Sequence, residues 1–282
     1  MNIISISNLS FQYSRSSSPS LQNINLEIEK GDFILLCGPT GCGKTTLCRC
    51  LTGLIPHFHF GNFEGEVLID GLNTKKVPVY EIAKKVGMVF QNPENQLVAM
   101  NVERELGFSM ENLGYAPEII RTRIEQSIDQ FQLNPLRKKA PYELSGGEQQ
   151  RVAIAAILTL EPDIIILDEP TSNLDPVAAK KIMELLKKLN SNFNKTIILI
   201  EHRLELAVPL INRLIVMDQG AIMLDGSPET VFFNTKLKEI NIGIPKIIQL
   251  TEMLKEGGIQ FEKLPLTPVE LAESIQNMTG KK

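Results

Sequence analysis

The chain has 282 residues, of which 43% are hydrophobic and 22% are charged, a composition typical of a globular protein with one large domain or with one large and one small domain. The net charge of −4 provides no basic excess to neutralise a phosphate backbone, which argues against a nucleic-acid binder. No apolar run approaches the ~18 residues that cross a bilayer, and no charged region opens the N-terminus as in a secretory signal, so we expect a cytosolic protein that can dock on a membrane partner.

The first 90 residues show mostly strand patterns. Apolar and polar residues alternate in IISISNLSF and in LQNINLEIEKG, which predicts two half-buried strands separated by the surface loop SRSSSPS. The apolar run DFILLC predicts a buried strand that leads into a glycine-rich loop, and a helix is predicted for KTTLCRCLTGL after it. Two further strands are predicted for GEVLIDG and KKVGMVF.

From about Asn101 to Leu144 apolar residues recur at spacings of three and four, which predicts helices. Strands and helices then alternate again, from the buried strand DIIILDE to a hairpin that turns at Gln219–Gly220. This alternation predicts a mainly parallel sheet covered on both faces, with an N-terminal antiparallel β subdomain before it and a helical subdomain inserted at about 95–160.

After Asn234 the alternation stops. The segments GIPKIIQLTEMLKEGG and TPVELAESIQNM predict two short amphipathic helices, the second with a Thr-Pro start suited to an N-cap and first turn. We therefore divide the chain into a large α/β domain over 1–234 and a helical extension over 235–282. A tail this short buries little surface alone and is expected to pack on something else.

The segment GPTGCGKT matches the phosphate-binding motif G-x-x-x-x-G-K-[ST] in full, between a strand and a helix. The glycines allow loop N–H groups to point at the β- and γ-phosphates of a nucleotide, Lys44 supplies positive charge, and the Thr45 hydroxyl is a predicted Mg²⁺ ligand. The predicted nucleotide-binding residues of this segment are Gly38, Pro39, Thr40, Gly41, Cys42, Gly43, Lys44, Thr45 and Thr46.

Two adjacent carboxylates end the strand IIILDE. Asp168 can face a metal ion, directly or through water, and Glu169 can orient and polarise an attacking water molecule. An acidic pair at a strand end can also be a turn or a helix cap, although the phosphate loop in the same chain favours the catalytic interpretation.

These motifs together resemble the ATP-binding cassette (ABC) ATPases, over roughly residues 3–233. The family's ordered set comprises the P-loop, the glutamine loop at Gln91, the signature LSGGEQQR at 144–151, the acidic strand, the SNLD loop at 172–175 and the switch histidine His202. P-loops occur in many NTPases, but this ordered set is specific to the family.

The resemblance implies that two cassettes pack head to tail. Ser145, Gly146 and Gly147 of one cassette would close over the γ-phosphate bound to the other, and Asp175 would cross the interface. Gln91 would contact Mg²⁺ and the attacking water, and His202 would contact the γ-phosphate. ATP would then hold the dimer closed, and hydrolysis would reopen it.

The same resemblance makes Tyr13 the aromatic residue that stacks on adenine, although Phe11 lies on the same strand face and one of the two is expected to be core. At the switch histidine, the next residue is Arg203, where many relatives have aspartate.

Two groups of residues invite a metal interpretation. Cys37, Cys42, Cys48 and Cys50 fall within fourteen residues, but their spacing matches no CxxC pair, so small-residue packing is favoured and disulfides are not expected. His57 and His59 have no third ligand nearby in sequence and are expected to belong to a variable loop.

Three functions are compatible with a cassette: a membrane importer's ATPase, a soluble protein of translation or genome maintenance, and a non-hydrolysing regulatory module. The compact gap between P-loop and signature, the single cassette, and the presence of Glu169, Gln91 and His202 favour the importer. The segment FQNPENQL and the C-terminal tail resemble energy-coupling factor transporters, and an ordinary ABC importer is the alternative.

That resemblance implies a peripheral protein on the cytoplasmic face of the membrane. Its partners would be a second cassette ATPase, either a copy or a related chain, an integral-membrane scaffold protein, and a small membrane protein that captures a vitamin or a cobalt or nickel ion. The short helical tail would help to hold the two ATPases together, and NPENQLVAMNVERELGF is the predicted contact surface for the scaffold.

Overall fold

A computed structural model describes residues 2–240 and 242–279. It contains ten strands: β1 (Asn2–Tyr13), β2 (Leu21–Glu29), β3 (Phe33–Cys37), β4 (Gly61–Ile69), β5 (Leu72–Asn73), β6 (Val86–Val89), β7 (Ile164–Asp168), β8 (Thr196–Ile200), β9 (Arg213–Asp218) and β10 (Ala221–Gly226).

Eleven α-helices connect or follow these strands, with short 3₁₀ turns between some of them. They are α1 (Lys44–Leu51), α2 (Leu54–His57), α3 (Val79–Ala83), α4 (Val102–Asn112), α5 (Pro117–Gln130), α6 (Gly146–Leu158), α7 (Pro176–Phe193), α8 (Leu204–Ala207), α9 (Pro228–Phe232), α10 (Lys246–Glu256) and α11 (Pro268–Thr279).

The strands form two sheets. The first is antiparallel with the order β2-β1-β4-β5, and the second has the order β10-β9-β3-β8-β7-β6. In the second sheet all neighbours are parallel except the β9–β10 hairpin, which turns at Gln219 and Gly220. The predicted mainly parallel sheet with an antiparallel N-terminal subdomain is therefore confirmed.

The central strands β3, β7 and β8 are buried at every residue, which explains why their sequences are apolar throughout. Two apolar clusters cover the two faces of the parallel sheet. One lies between that sheet and the antiparallel sheet, and the other contains the helices of the inserted subdomain, α7, and the beginning of the C-terminal extension. Ile248 and Leu264, from the predicted C-terminal extension, thus pack into the apolar cluster on that face of the parallel sheet.

None of the helices within the described residues combines the length and the apolar character that a membrane crossing requires.

Close approach of α6 to the edge strand β6 depends on Gly87. A Cβ atom at Gly87 would lie 2.2 Å from Cγ2 of Ile157 and 3.0 Å from Cγ of Pro162. We expect Gly87→Ala to lower the free energy of unfolding by about 1–3 kcal/mol, because the helix and strand must move apart. Chemical denaturation measures this change.

Gly107→Ala in α4 is the matched control. The nearest atom to its added Cβ is the flexible Cδ1 of Ile124 at 3.2 Å, and alanine is favoured over glycine within helices by ~1 kcal/mol. Unchanged stability of Gly87→Ala would contradict this close helix-strand packing.

Candidate active site

The carboxyl ends of four parallel strands meet at one edge of the sheet, the usual position of a ligand site in such folds. The P-loop follows β3, Gln91 lies two residues beyond β6, Glu169 follows β7, and His202 lies two residues beyond β8. Residues far apart in sequence are therefore brought together by strand order.

Two glycines let the P-loop lie against neighbouring backbone. Gly38 has φ = +150°, and a Cβ there would lie 2.1 Å from the carbonyl oxygen of Met217. Gly43 has φ = +111°, and its Cβ would lie 2.6 Å from the carbonyl oxygen of Ser20. Only glycine fits both the backbone conformation and the available space at these positions.

The Lys44 side chain folds back onto the beginning of the P-loop. Its buried ammonium group donates hydrogen bonds to the carbonyl oxygens of Gly38, at 2.8 Å, and Pro39, at 2.9 Å. Neutral carbonyls leave the positive charge uncompensated, so an anion such as a nucleotide phosphate is electrostatically favoured at this position.

Thr45 and Asp168 bring two hard oxygen donors together: the Thr45 hydroxyl donates to Asp168 Oδ2 at 2.9 Å. Burial raises the pKa of Asp168 above its ordinary value, with the Thr45 hydrogen bond opposing the shift and the charge of Glu169 adding to it. A cation here would offset the cost of this buried negative charge. The described residues contain no group of three or more His, Cys, Asp or Glu able to hold a metal, but Mg²⁺ needs only one or two protein carboxylates besides substrate phosphates and water.

Glu169 links the glutamine loop to the switch histidine. Its Oε2 accepts a hydrogen bond from Nε2 of Gln91 at 2.7 Å, and its Oε1 lies 3.0 Å from Nε2 of His202. Because a carboxylate only accepts hydrogen bonds, this contact selects the His202 form with a proton on Nε2. Glu169 has φ = +51°, an unusual backbone conformation for a residue with a side chain, and its N–H donates to Ile200 O.

Glu201 is a site residue that sequence analysis did not identify. Its side chain is 3% exposed and accepts hydrogen bonds from the Thr171 hydroxyl at 2.5 Å and from the N–H groups of His202 and Arg203 at 2.9 and 3.0 Å. The available signal was an acidic residue directly after the apolar strand TIILI and directly before the histidine.

Arg203 connects this region to the SNLD loop. Its guanidinium group donates to the carbonyl oxygen of Leu174 at 3.1 Å. The next residue, Asp175, caps α7 by accepting from the N–H groups of Val177 and Ala178, and these hydrogen bonds hold the pKa of its carboxyl below the usual range. The arginine thus leaves the imidazole in place and adds a link of its own.

The signature segment begins α6. Ser145 and Glu148 form a capping box, in which the serine oxygen accepts from Glu148 N–H and the Glu148 carboxylate accepts from Ser145 N–H. Within the described part of the chain, the side-chain hydrogen bonds of Ser145 are with Glu148 and none is with the P-loop. Gly146 and Gly147 lie beside the SNLD loop, where an added Cβ would be 3.9 Å from Asn173 and 3.3 Å from Leu174.

The first strand contains the two candidate aromatic residues. Phe11 is 1% exposed and belongs to the core, whereas Tyr13 is half-buried. The Tyr13 hydroxyl lies 3.3 Å from Oγ1 of Thr46 and accepts a hydrogen bond from Arg49 at 3.0 Å, which holds the ring beside the helix that follows the P-loop.

The cysteines and histidines that invited a metal interpretation have other contacts. Cys37, Cys42, Cys48 and Cys50 are buried, and burial raises the pKa of the Cys37 thiol to about 12. Nε2 of His57 lies 2.9 Å from the carbonyl oxygen of Thr74, and the ring of His59 lies edge-on near Tyr13.

This geometry defines a P-loop nucleotide hydrolase, and comparisons with known proteins narrow the class. The ABC transporter family model matches residues 21–172. A putative ABC transporter ATP-binding protein of Pyrococcus horikoshii is 43% identical over 98% of this chain and 97% of its own length. The energy-coupling factor transporter ATP-binding protein EcfA1 of Clostridium novyi is 38% identical over 97% of this chain and 98% of its own length.

A solved structure with the same fold is that of cbiO1 from Clostridium perfringens, described as part of the ABC transporter complex cbiONQ. It is 30% identical, covers 89% of this chain and 99% of its own, and superposes with a TM-score of 0.73. The chain belongs to the ABC transporter family, as an ATP-binding subunit that hydrolyses ATP.

Loss of the Glu201 carboxylate should destabilise the protein. We expect Glu201→Ala to lower the free energy of unfolding by about 3 kcal/mol, because three donors in a buried site lose their acceptor. Thermal and chemical denaturation measure this loss. Glu205→Ala, at the exposed neighbouring carboxylate, is the control and should change stability by under ~0.5 kcal/mol. Equal stability of the two variants would contradict this role of Glu201.

Proposed function

We propose that this chain powers an uptake transporter of the energy-coupling factor type through ATP-driven closure of a cassette dimer. The observation that carries the catalytic part is the joint contact of Gln91 and His202 with one carboxylate, Glu169, beside the P-loop. The similarity to EcfA1 and to cbiO1 supports the transporter type.

In the proposed nucleotide site, Tyr13 stacks on adenine, and the N–H groups of residues 38–46 other than Pro39 bind the phosphates. Lys44 neutralises the β- and γ-phosphate oxygens. The hydroxyl of Thr45 and the carboxylate of Asp168 would hold Mg²⁺, with Gln91 as a further ligand, and the ion would neutralise charge on the phosphate oxygens. The 2.9 Å contact between the Thr45 and Asp168 oxygens supports this assignment.

For hydrolysis, Glu169 acts as the general base toward water, and Gln91 and His202 orient the Glu169 carboxylate. A carboxylate with one hydrogen bond on each oxygen has little freedom to rotate, so its lone pairs are directed before water arrives. Nδ1 of His202 would donate to the γ-phosphate in the form of the ring that carries a proton on both nitrogens.

ATP-binding subunits of this family work as dimers. We assign Ser145, Gly146 and Gly147 to the partner's nucleotide and Asp175 to the interface between the two chains. Their place at the starts of α6 and α7 supports this assignment, since helix N-termini favour anions and the Ser145 hydrogen bonds are satisfied locally.

The proposed scaffold contact is the segment 92–108. Glu105 is buried and accepts hydrogen bonds from the N–H groups of Val98 and Ala99 at 2.9 and 2.7 Å, which shapes a loop that exposes Val98 by 64% and Met100 by 78%. An apolar loop held in one conformation by a buried carboxylate fits a membrane protein's coupling helix, and its sequence neighbour Gln91 would report contact to the site.

The extension supplies a second apolar surface for the ATPase dimer. A groove of about 380 Å³ between α10 and α11 is lined by Ile247, Leu250, Leu271 and Ile275 among others. Nearby Met253 and Val269 are 68% and 65% exposed. We propose that this surface holds two ATPase chains together.

Glu169→Gln tests the general-base assignment. The amide cannot accept a proton, so we expect hydrolysis to fall by about 10²–10⁴-fold while ATP binding remains within about twofold. Phosphate release and nucleotide titration measure the two effects. Lys44→Ala should instead lose most ATP affinity, and Glu205→Gln should behave like the wild type. Full turnover by Glu169→Gln would overturn the assignment.

Co-purification tests the transporter type. Tagged protein recovered from detergent-solubilised membranes of its own organism should bring a multi-span scaffold, a small membrane protein and, where the dimer is mixed, a second ATPase. Met100→Asp should no longer recover the membrane partners, because a charge would be buried in an apolar contact. ATP hydrolysis by the isolated variant should be unchanged.

The matched control is Ile119→Asp on α5, which is also exposed and apolar but lies outside the proposed contact segment. Recovery of soluble partners alone, such as ribosomal or DNA-repair proteins, would overturn the transporter proposal and leave the ATPase assignment intact.

A further inference from the structure

A cavity of about 270 Å³ next to the P-loop has one wall from outside the motifs described above. Its lining includes Gly38, Pro39, Thr40 and Lys44 of the P-loop and Glu201, His202 and Leu204 after β8. The remaining wall comes from Ile242 and Gly243, at the start of the C-terminal extension. We refer to residues 242–245 as the connector.

The connector is held in place on both sides. Before it, Leu237 and Ile240 are buried, and after it Ile248 is 1% exposed. Ile242 and Ile244 pack against the same apolar cluster as Leu204 of the short helix α8. The carbonyl oxygen of Ile244 also accepts a hydrogen bond from Gln249 at 2.8 Å.

The charged groups of the cavity indicate which part of a nucleotide lies nearest. Lys44 and His202 line the same space as Ile242 and Gly243. Under the proposed function Lys44 contacts the β- and γ-phosphates, and His202 contacts the γ-phosphate, the group that ATP has and ADP lacks. The cavity is therefore on the terminal-phosphate side of the site.

We propose that Ile242 and Gly243 form a wall of the terminal-phosphate subsite, so that the connector sets the preference of the protein for ATP over ADP. This inference rests on the proposed function, because it uses the assigned positions of Lys44 and His202. It adds two residues of the C-terminal extension to the nucleotide site. A terminal phosphate bound in that subsite would therefore lie next to the first residues of the extension.

Two substitutions alter this wall in different ways. Gly243 has a backbone conformation open to other residues, and a Cβ added there meets no atom within 4 Å, so Gly243→Leu should fold normally. Because Gly243 lines the cavity, the leucine adds bulk at its wall. Ile242→Ala instead removes side-chain contact from the wall. Ile244→Ala is the matched control, because Ile244 is also a half-buried connector isoleucine but does not line the cavity.

The experiment is titration of each full-length variant with ADP and with a non-hydrolysable ATP analogue. It is run with Mg²⁺ and at protein concentrations at which sedimentation shows a monomer, so that ATP-driven association does not contribute. We expect Gly243→Leu to weaken binding of the ATP analogue at least tenfold and Ile242→Ala to weaken it about threefold. ADP affinity should stay within twofold for both, and Ile244→Ala should match the wild type.

An unchanged ratio of ATP-analogue to ADP affinity in folded Gly243→Leu and Ile242→Ala would overturn the inference, as would equal weakening of both nucleotides. Thermal unfolding verifies folding, and if Gly243→Leu is unstable, Ile242→Ala against Ile244→Ala decides the question. Lys44→Ala distinguishes a failure of the P-loop assignment from a failure of the connector inference. If it binds both nucleotides normally, the P-loop assignment itself fails, whereas if it loses both while the connector variants keep the wild-type ratio, only the connector inference fails.

Discussion

The pair of contacts made by the Glu169 carboxylate is the interaction on which the arrangement of the site depends. Each oxygen engages one side chain, Gln91 after β6 and His202 after β8, while Glu169 itself follows β7. The three strands are parallel neighbours, so a slip of one residue in any pairing would move one partner out of reach. The apolar, fully buried strands therefore fix a polar contact that no local sequence preference could produce.

A second buried carboxylate supports the loops around this contact. Glu201 accepts hydrogen bonds from the N–H group of His202 and from the hydroxyl of Thr171. Arg203 donates to the carbonyl oxygen of Leu174, two residues before α7 begins. The hydrogen-bond network thus runs from the switch histidine to the surface assigned to the partner chain. Under the proposed function, loss of the phosphate contact at His202 would be transmitted to that surface through these hydrogen-bonded groups.

Local patterns predicted the strands, the helices and the P-loop, because strand alternation, helical periodicity and glycine spacing are properties of short segments. Contacts between residues far apart in the sequence could not be predicted from such local patterns. Alternation put Phe11 and Tyr13 on one strand face, and only the packing of the two sheets showed that the first is core. Gln91 and Glu169 are 78 residues apart, and their contact follows from strand order. Glu201 was missed because a single acidic residue after a strand has no distinctive pattern until its three donors are placed around it.

The C-terminal extension has one face packed against the rest of the chain and one face exposed. Its helices are amphipathic, and α10 buries Ile248 and Thr251 while exposing Leu250 and Met253. Packing on the rest of the chain accounts for the first face. The exposed face, part of which lines the groove toward α11, supports the proposed contact between two ATPase chains. Since the connector reaches that helix directly from the cavity at Lys44 and His202, the apolar surface and the nucleotide site are separated by a few residues. Under the two proposals, the state of the bound nucleotide would therefore affect the contact between the two chains through these few residues.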